Sequence, residues 1–370
     1  MRVTIERPDL SGPGLDMLEA DWRALEPHAG CSFFQSWTWI GCRIAERFVA
    51  PRLARAVENG RTVGLALFNR RGVPLAPGAL WLHETGRDAE DSVFIEHNAP
   101  LVADNDPRIA RAILQRALAR SGVVMLGGID DPTLEHARAL GLCHVRARRE
   151  APYASLAGGD AEAWRRQLGR ATRAQLGRSQ RRLEALGPIC WRKARDVAEA
   201  LEFLDGLATL HTLSWRRRGR QGAFADPTFR RFHASLIARG LPRGEVTLSR
   251  LAVADRPIGF LYNFHWREHV LAYQSGFDTE AVPGASPGLT AHALAIADAA
   301  TAGSDRYDFL AGDVRYKRNL GNAAKTLHWL ELAAHHSLRG WPAWGVRQLQ
   351  RQPSRGTASP GCRRGDSPPA

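Results

Sequence analysis

RLAVADRPIGFLYNF, residues 250–264, lies in order over RAVENGRTVGLALF, residues 55–68. In both, Ala-Val leads into a polar turn, and Val-Gly or Ile-Gly then opens an apolar run. The first copy turns at Asn59-Gly60, the strongest short hairpin signal, because a type I′ turn needs positive φ at both central positions. Each copy then continues alike. Helical spacing over 107–120 leads into the apolar strand VVMLGGI, 123–129; later, the strand HVLAYQSGFD and helical spacing over 287–302 lead into RYDFLAGD, 306–313. A repeat unit of roughly 150 residues is a duplicated module and not a solenoid. Hairpin, helix and strand occurring twice restrict the 370 residues to an α/β (α+β) fold of two tandem modules with mixed sheets.

The divisions predicted are a first module over 1–150, a linker with an Arg-rich helix over 151–186, a second module over 187–340 and a disordered tail over 350–370. The tail is rich in Pro, Gly, Ser and Arg, a composition that does not build a core. The aromatic cluster Trp22, Phe33, Phe34, Trp37 and Trp39, with Leu25, reads as core. The Arg-rich stretch 160–186 has helical spacing and is either a solvated face or a basic face toward an acidic partner.

Net charge is +13, yet only Lys193, Lys317 and Lys325 are lysines among 51 basic residues. An arginine excess of that kind is weak evidence for nucleic acid. It does single out the three lysines, since a role that arginine could fill would often have gone to arginine. Cys31, Cys42, Cys143, Cys190 and Cys362 are odd in number and show no C-x-x-C spacing, so a reduced, cytoplasmic protein is expected. No apolar run approaches the roughly 18 residues of a membrane span. His265, His269, His335 and His336 have no ligand-like support, so no metal is expected.

Gly284-Ala-Ser286-Pro-Gly288 fits G-x-S-x-G, the turn that presents a nucleophilic serine. Stereochemistry rejects that reading. Pro287 has no N–H for an oxyanion, and the polar, proline-broken approach is not a strand. Ser at the N-cap with Pro at the first helical position is instead a preferred helix start. The amides of Gly288, Leu289 and Thr290 are then left for an anion, or for an ordinary capped helix end.

The run 210–236, then ADRPIGFLYNFHWREHVLAYQSGFD, SPGLTAHALAIADAA and RYDFLAGDVRYKRNLG, resembles the GNAT-type acetyltransferase domain of CelD-like proteins, itself related to the Fem-type aminoacyl transferases of cell-wall synthesis. The resemblance covers about 160–335, with Asp308-Phe, Gly-Asp313 and Tyr316-Lys317 the most diagnostic piece. The first half resembles the module preceding that domain. It has no counterpart of Tyr316-Lys317, which makes it a degenerate GNAT-like copy and leaves the second module to carry the active site.

What the resemblance implies is acyl transfer from acetyl-CoA or another acyl-CoA to an amine or hydroxyl of a small-molecule or saccharide acceptor, in polysaccharide or cell-envelope synthesis. Two alternatives remain: an aminoacyl-tRNA donor, which would use the Arg-rich segment, and a non-catalytic scaffold. The sequence lacks the tidy Q/R-x-x-G-x-G/A pyrophosphate loop of archetypal GNAT enzymes, so Ser286, Pro287, Gly288, Leu289 and Thr290 must hold the donor. Lys317 is the candidate for charge stabilisation. Asp308 and Asp313 are candidates for the general base, although Asp308 could equally cap a turn or pair with Arg315. Tyr316 and Tyr273 could protonate a departing thiolate. His211, Trp215, Arg218 and Tyr273 could border the acceptor pocket, His211 and Trp215 sharing one helix face at i and i+4.

Overall fold

The structure is a computed structural model that describes residues 1–73, 76–87, 91, 93–156, 160–312 and 314–334. The tail expected over 350–370, Asp313 and Cys362 lie outside the described residues.

The first half runs β1 (Arg2–Glu6), α1 (Gly12–Leu25), α2 (Trp37–Glu46), β2 (Pro51–Glu58), β3 (Arg61–Val73), β4 (Ala76–Leu82), β5 (Leu101–Val102), α3 (Pro107–Ser121), β6 (Val123–Ile129), α4 (Asp131–Arg138) and β7 (Leu142–Ser155). The basic stretch forms α5 (Ala161–Gln167) and α6 (Arg170–Glu184), broken at Leu168 and Gly169. The second half repeats the plan: β8 (Ile189–Lys193), α7 (Val197–Arg216), α8 (Pro227–Gly240), β9 (Val246–Val253), β10 (Arg256–Trp266), β11 (His269–Phe277), α9 (Pro287–Thr301), β12 (Arg306–Asp308), α10 (Arg315–Leu320) and β13 (Ala323–Ala333). The turn residues Asn59 and Gly60 have φ of 50° and 76°, the left-handed pair that a type I′ hairpin requires.

Both halves form one mixed sheet in the order β1-β2-β3-β4-β6-β13-β7-β12-β11-β10-β9-β8. The duplication is closed by exchange. β13, from the second half, pairs with β6 of the first; β7, from the first half, pairs with β12 of the second. β7 and β13 also pair with each other, from Ala323 opposite Tyr153 to Ala333 opposite Leu142. The predicted boundary at 150/151 therefore falls inside β7. Strands as long as these leave no edge at the junction.

The aromatic cluster is buried, and it is shared between the halves. Phe33 stacks on Phe264 at 4.2 Å between centroids, and Trp39 meets Phe232 at 5.3 Å and Tyr273 at 5.9 Å. Each such pair adds about 0.5–1.5 kcal/mol beyond burial of its area. These rings fix how α2 and the turn before it sit against β10 and β11.

Candidate active site

β11 and β12 are parallel neighbours only where His269–Leu271 face Arg306–Asp308. Beyond Leu271 they diverge, because β12 ends while β11 continues to Phe277. The chain turns away at Leu310, whose φ is 60°. The notch so formed opens into a cavity of about 770 Å³, within the range of small-ligand sites. β11 also carries a bulge: Tyr262 faces Gln274 but Asn263 faces Ala272. Tyr273 is thus the extra residue and stands outside the ladder.

One wall of the cavity is the start of α9, with Ser286, Pro287, Gly288 and Leu289. Five other helices begin with an aspartate accepting from its own first turn: Asp106, Asp130, Asp160, Asp196 and Asp226. Ser286 makes no such bond; its hydroxyl accepts from Gln175 at 3.3 Å, and its N–H donates to Ser179 Oγ at 2.9 Å. Thr290 departs from expectation. Its N–H donates to the Ser286 carbonyl at 3.1 Å, and its hydroxyl lies 3.0 Å from Ser179 Oγ, so it is occupied and does not line the cavity. The first-turn amides of Gly288 and Leu289 have no intrahelical acceptor. A side chain at Gly288 would begin 3.0 Å from the Phe277 ring, so glycine keeps that approach open.

Lys317 and Tyr316 of α10 also line the cavity, the Tyr316 ring stacked on His292 of α9 at 5.0 Å. The Lys317 ammonium donates to the carbonyls of Leu310 at 3.1 Å and Ala311 at 2.9 Å. An ammonium has three protons, so one remains for a ligand. Burial lowers its pKa, while nearby Glu96 and Asp308 oppose the shift. His211, Trp215, Arg218 and Tyr273 line the same cavity. Burial pushes His211 down to about 4 and Tyr316 up to about 12. The Tyr273 hydroxyl is buried without a hydrogen-bond partner among the described residues.

Sequence reasoning missed Glu96. It belongs to the first half, yet it lines this cavity, and its Oε2 accepts from the Ala311 amide at 2.6 Å. Burial raises its pKa, against the pull of the Ala311 amide, His97 and Lys317. Asp308 turns elsewhere. It is buried, accepts from the Leu310 amide at 2.7 Å and pairs with His97 Nε2 at 3.1 Å, not with Arg315. Asp308 is therefore a brace for the 308–312 turn, and His97, with φ of 49°, is held in the left-handed region to meet it.

Burial alone would raise Asp308 and lower His97, but each charge reverses the other's shift, leaving Asp308 below and His97 above its ordinary value. The pair's stabilisation is present above the unfolded aspartate pKa and below the unfolded histidine pKa. It is lost as pH rises through the raised His97 value, or falls through the depressed Asp308 value. His97→Gln is expected to cost about 3 kcal/mol at about pH 5.5, and distinctly less at about pH 9. Urea denaturation of both proteins at the two pH values checks this; an equal cost at both removes the ion pair from the account.

Among the described residues the first module shows no matching cleft. β4 and β6 meet only at Leu80–Val124 and Trp81–Met125. The space beyond is filled: side chains at Gly127 and Gly128 would strike Glu84 at 2.5 Å and the Ile95 carbonyl at 2.6 Å. Helix α3, the counterpart of α9, is capped by its own Asp106.

Residues 170–318 match the family described as an acetyltransferase (GNAT) domain. The matched residues lie after β7 and include most of the lining of the open cleft. Among solved structures, the chain is similar to FemX, at TM-score 0.63 and 10% identity over 94% of this chain and 99% of that one. It is also similar to L-PGS from Bacillus licheniformis, at TM-score 0.56 and 11% identity over 93% of this chain and 97% of that one. At such identities the likeness is one of fold. No curated protein matches the sequence. Among the described residues no helix is long and apolar enough to cross a membrane, and no group of three His, Cys, Asp or Glu could hold a metal ion.

Proposed function

We propose that this protein transfers an acyl group, acetyl in the simplest case, from an acyl-CoA thioester to an amine or hydroxyl of a small-molecule or saccharide acceptor. The observation that carries the reading is a single notch lined both by the open first turn of α9 and by Lys317. The Gly288 and Leu289 amides hold the donor's phosphates, helped by the positive end of the helix. Arg218 and Arg315, which also line the cavity, add positive charge to draw in an anionic donor.

The acceptor attacks the thioester carbonyl directly. A bond from its nitrogen or oxygen to the acyl carbon forms, the C–S bond breaks, and no covalent enzyme intermediate is needed. Glu96 takes the acceptor's proton. The remaining Lys317 proton and the unpaired backbone at the Tyr273 bulge stabilise the developing oxyanion. Tyr316, whose raised pKa keeps it protonated, gives a proton to the leaving thiolate. Asp308 positions the turn that carries the Leu310 and Ala311 carbonyls.

The test is thermal stabilisation by acetyl-CoA, longer acyl-CoAs and free CoA. A ligand at a hundred times its Kd stabilises by about 2.7 kcal/mol. Ser286→Asp sharpens it. An acidic cap supplies the bond that five other helices already have, so the free protein gains about 1 kcal/mol. The same carboxylate repels the donor's phosphates, so acetyl-CoA affinity falls at least about tenfold. Unchanged affinity in that variant moves the donor away from α9.

One observation favours a second donor, aminoacyl-tRNA. Helix α6 packs beside α9: Arg182 donates to the Gly284 carbonyl, and Arg178 and Arg181 are exposed on the same helix. Under this reading tRNA binding weakens steeply with salt, and CoA gives no thermal protection. A protein that turns over neither donor supports the scaffold reading. The setting in polysaccharide or cell-envelope synthesis follows from the resemblance, and identification of the acceptor tests it.

A further inference from the structure

A second cavity, of about 360 Å³, lies between the modules and shares a wall with the first. Glu96 and Leu310 face the donor cleft, while His97 and Asp308 face this second space. Its floor is one face of the sheet. His269 and Arg306 are register partners, Asp308 and Ala323 both face Tyr153, and Lys325 faces Ala151. The strand period of two then puts His269, Arg306, Asp308 and Lys325 on the same face.

The charges there do not balance. Arg306 lies over the Tyr153 ring at 4.4 Å, and neither it nor Lys325 has an ion-pair partner among the described residues. The cavity's two carboxylates are committed elsewhere, Asp308 to His97 and the Leu310 amide, Asp130 to the Thr133 amide. Burial lowers both Lys325 and His269, and repulsion from Arg306 adds to it in each case, while Asp308 opposes the shift of both. A third donor is at hand: the Trp266 indole N–H, on a residue 9% exposed, lines the cavity with the weakly accepting Cys31 thiol beside it. Lys325 is also one of only three lysines in the chain.

We propose that this cavity binds the phosphate group of a small molecule. Two cations held together with no ion-pair partner repel each other, and an anion between them lowers that cost. Arg306 offers a planar fork to two phosphate oxygens, and Lys325 a compact point charge. Two full positive charges aimed at one group match a dianion better than a single carboxylate. The volume left beyond the phosphate suits a ligand of sugar size. The site does not depend on the acyl-transfer reading.

Calorimetric titration at constant ionic strength tests it, with inorganic phosphate, a hexose 6-phosphate, the unphosphorylated hexose and citrate as probes. Saturable binding of phosphate and hexose phosphate is expected, with none of the free hexose. Tighter binding of the hexose phosphate marks a small-molecule site; equal binding of the two overturns the sugar-sized ligand. Lys325→Gln, at a half-exposed position that tolerates change, is expected to weaken binding at least about tenfold, and Arg306→Gln to do the same. Both should leave stabilisation by acetyl-CoA unaltered, and Ser286→Asp should leave phosphate binding unaltered, which separates this site from the donor cleft. Absent saturable phosphate binding, equal binding by the Lys325 variant, or preference for citrate overturns the assignment.

Discussion

Lys317→Ala is expected to lower the rate of acyl transfer by about 10²- to 10³-fold, the loss that follows removal of one preorganised donor to a developing oxyanion. The geometry offers a competing role that the measurement has to separate. Two of the ammonium protons hold the carbonyls of Leu310 and Ala311, so alanine also releases the turn that Leu310 makes at positive φ. If bracing were the whole role, thermal stability and acetyl-CoA affinity would fall with the rate. If the third proton serves the transition state, single-turnover rate falls while the affinity for acetyl-CoA holds. Lys317→Arg should recover little, because a planar guanidinium cannot replace a compact ammonium that serves two carbonyls and a ligand at once. Full activity in Lys317→Ala ends the mechanism proposed above.

Glu96→Gln is expected to lower kcat by about 10²- to 10⁴-fold, the usual contribution of a positioned general base. The amide keeps the acceptor for the Ala311 N–H, so the wall stays in place and only proton transfer is lost. The sign of the pH dependence gives a second check. Glu96 must be ionised to accept a proton, and burial lifts its pKa above the ordinary glutamate value. The wild-type rate therefore climbs with pH through that raised value, whereas the glutamine variant shows no such climb. A variant that keeps the acidic limb assigns the base to another group.

Much of the cavity's lining was legible because its signals are local. Pro287 and Gly288 mark a helix start wherever they fall, and Tyr316-Lys317 follows a strand whose alternation is plain. His211 and Trp215 share a face because four residues make about one helical turn, and both line the cavity with Arg218, Tyr273, Ser286 and Lys317. Thr290 was misread for a local reason of another kind: its amide closes back on the Ser286 carbonyl, a bond that depends on the conformation adopted at the cap.

Glu96 could not be found in the same way. It reaches the Ala311 amide across 215 residues, from a segment with neither helical nor strand period. Asp308 was read as a general base, a turn cap or a partner of Arg315; it does cap its own turn, but its charge partner is His97, in the other half. The exchange of β7 and β13 was also hidden, since a duplicated pattern is equally satisfied by two sheets that each close on themselves.

The sequence by itself determined the repeated order of elements, the hairpin at Asn59-Gly60 and the open start of α9. Each rests on backbone stereochemistry within a few residues. Only the tertiary structure decided that the halves share one sheet, that side chains of the first half fill the space beyond β4 and β6, and that Glu96 meets Lys317 at Ala311. Strand partners and buried charges are chosen by contacts far apart in the chain, where many pairings satisfy the same local pattern and packing selects among them.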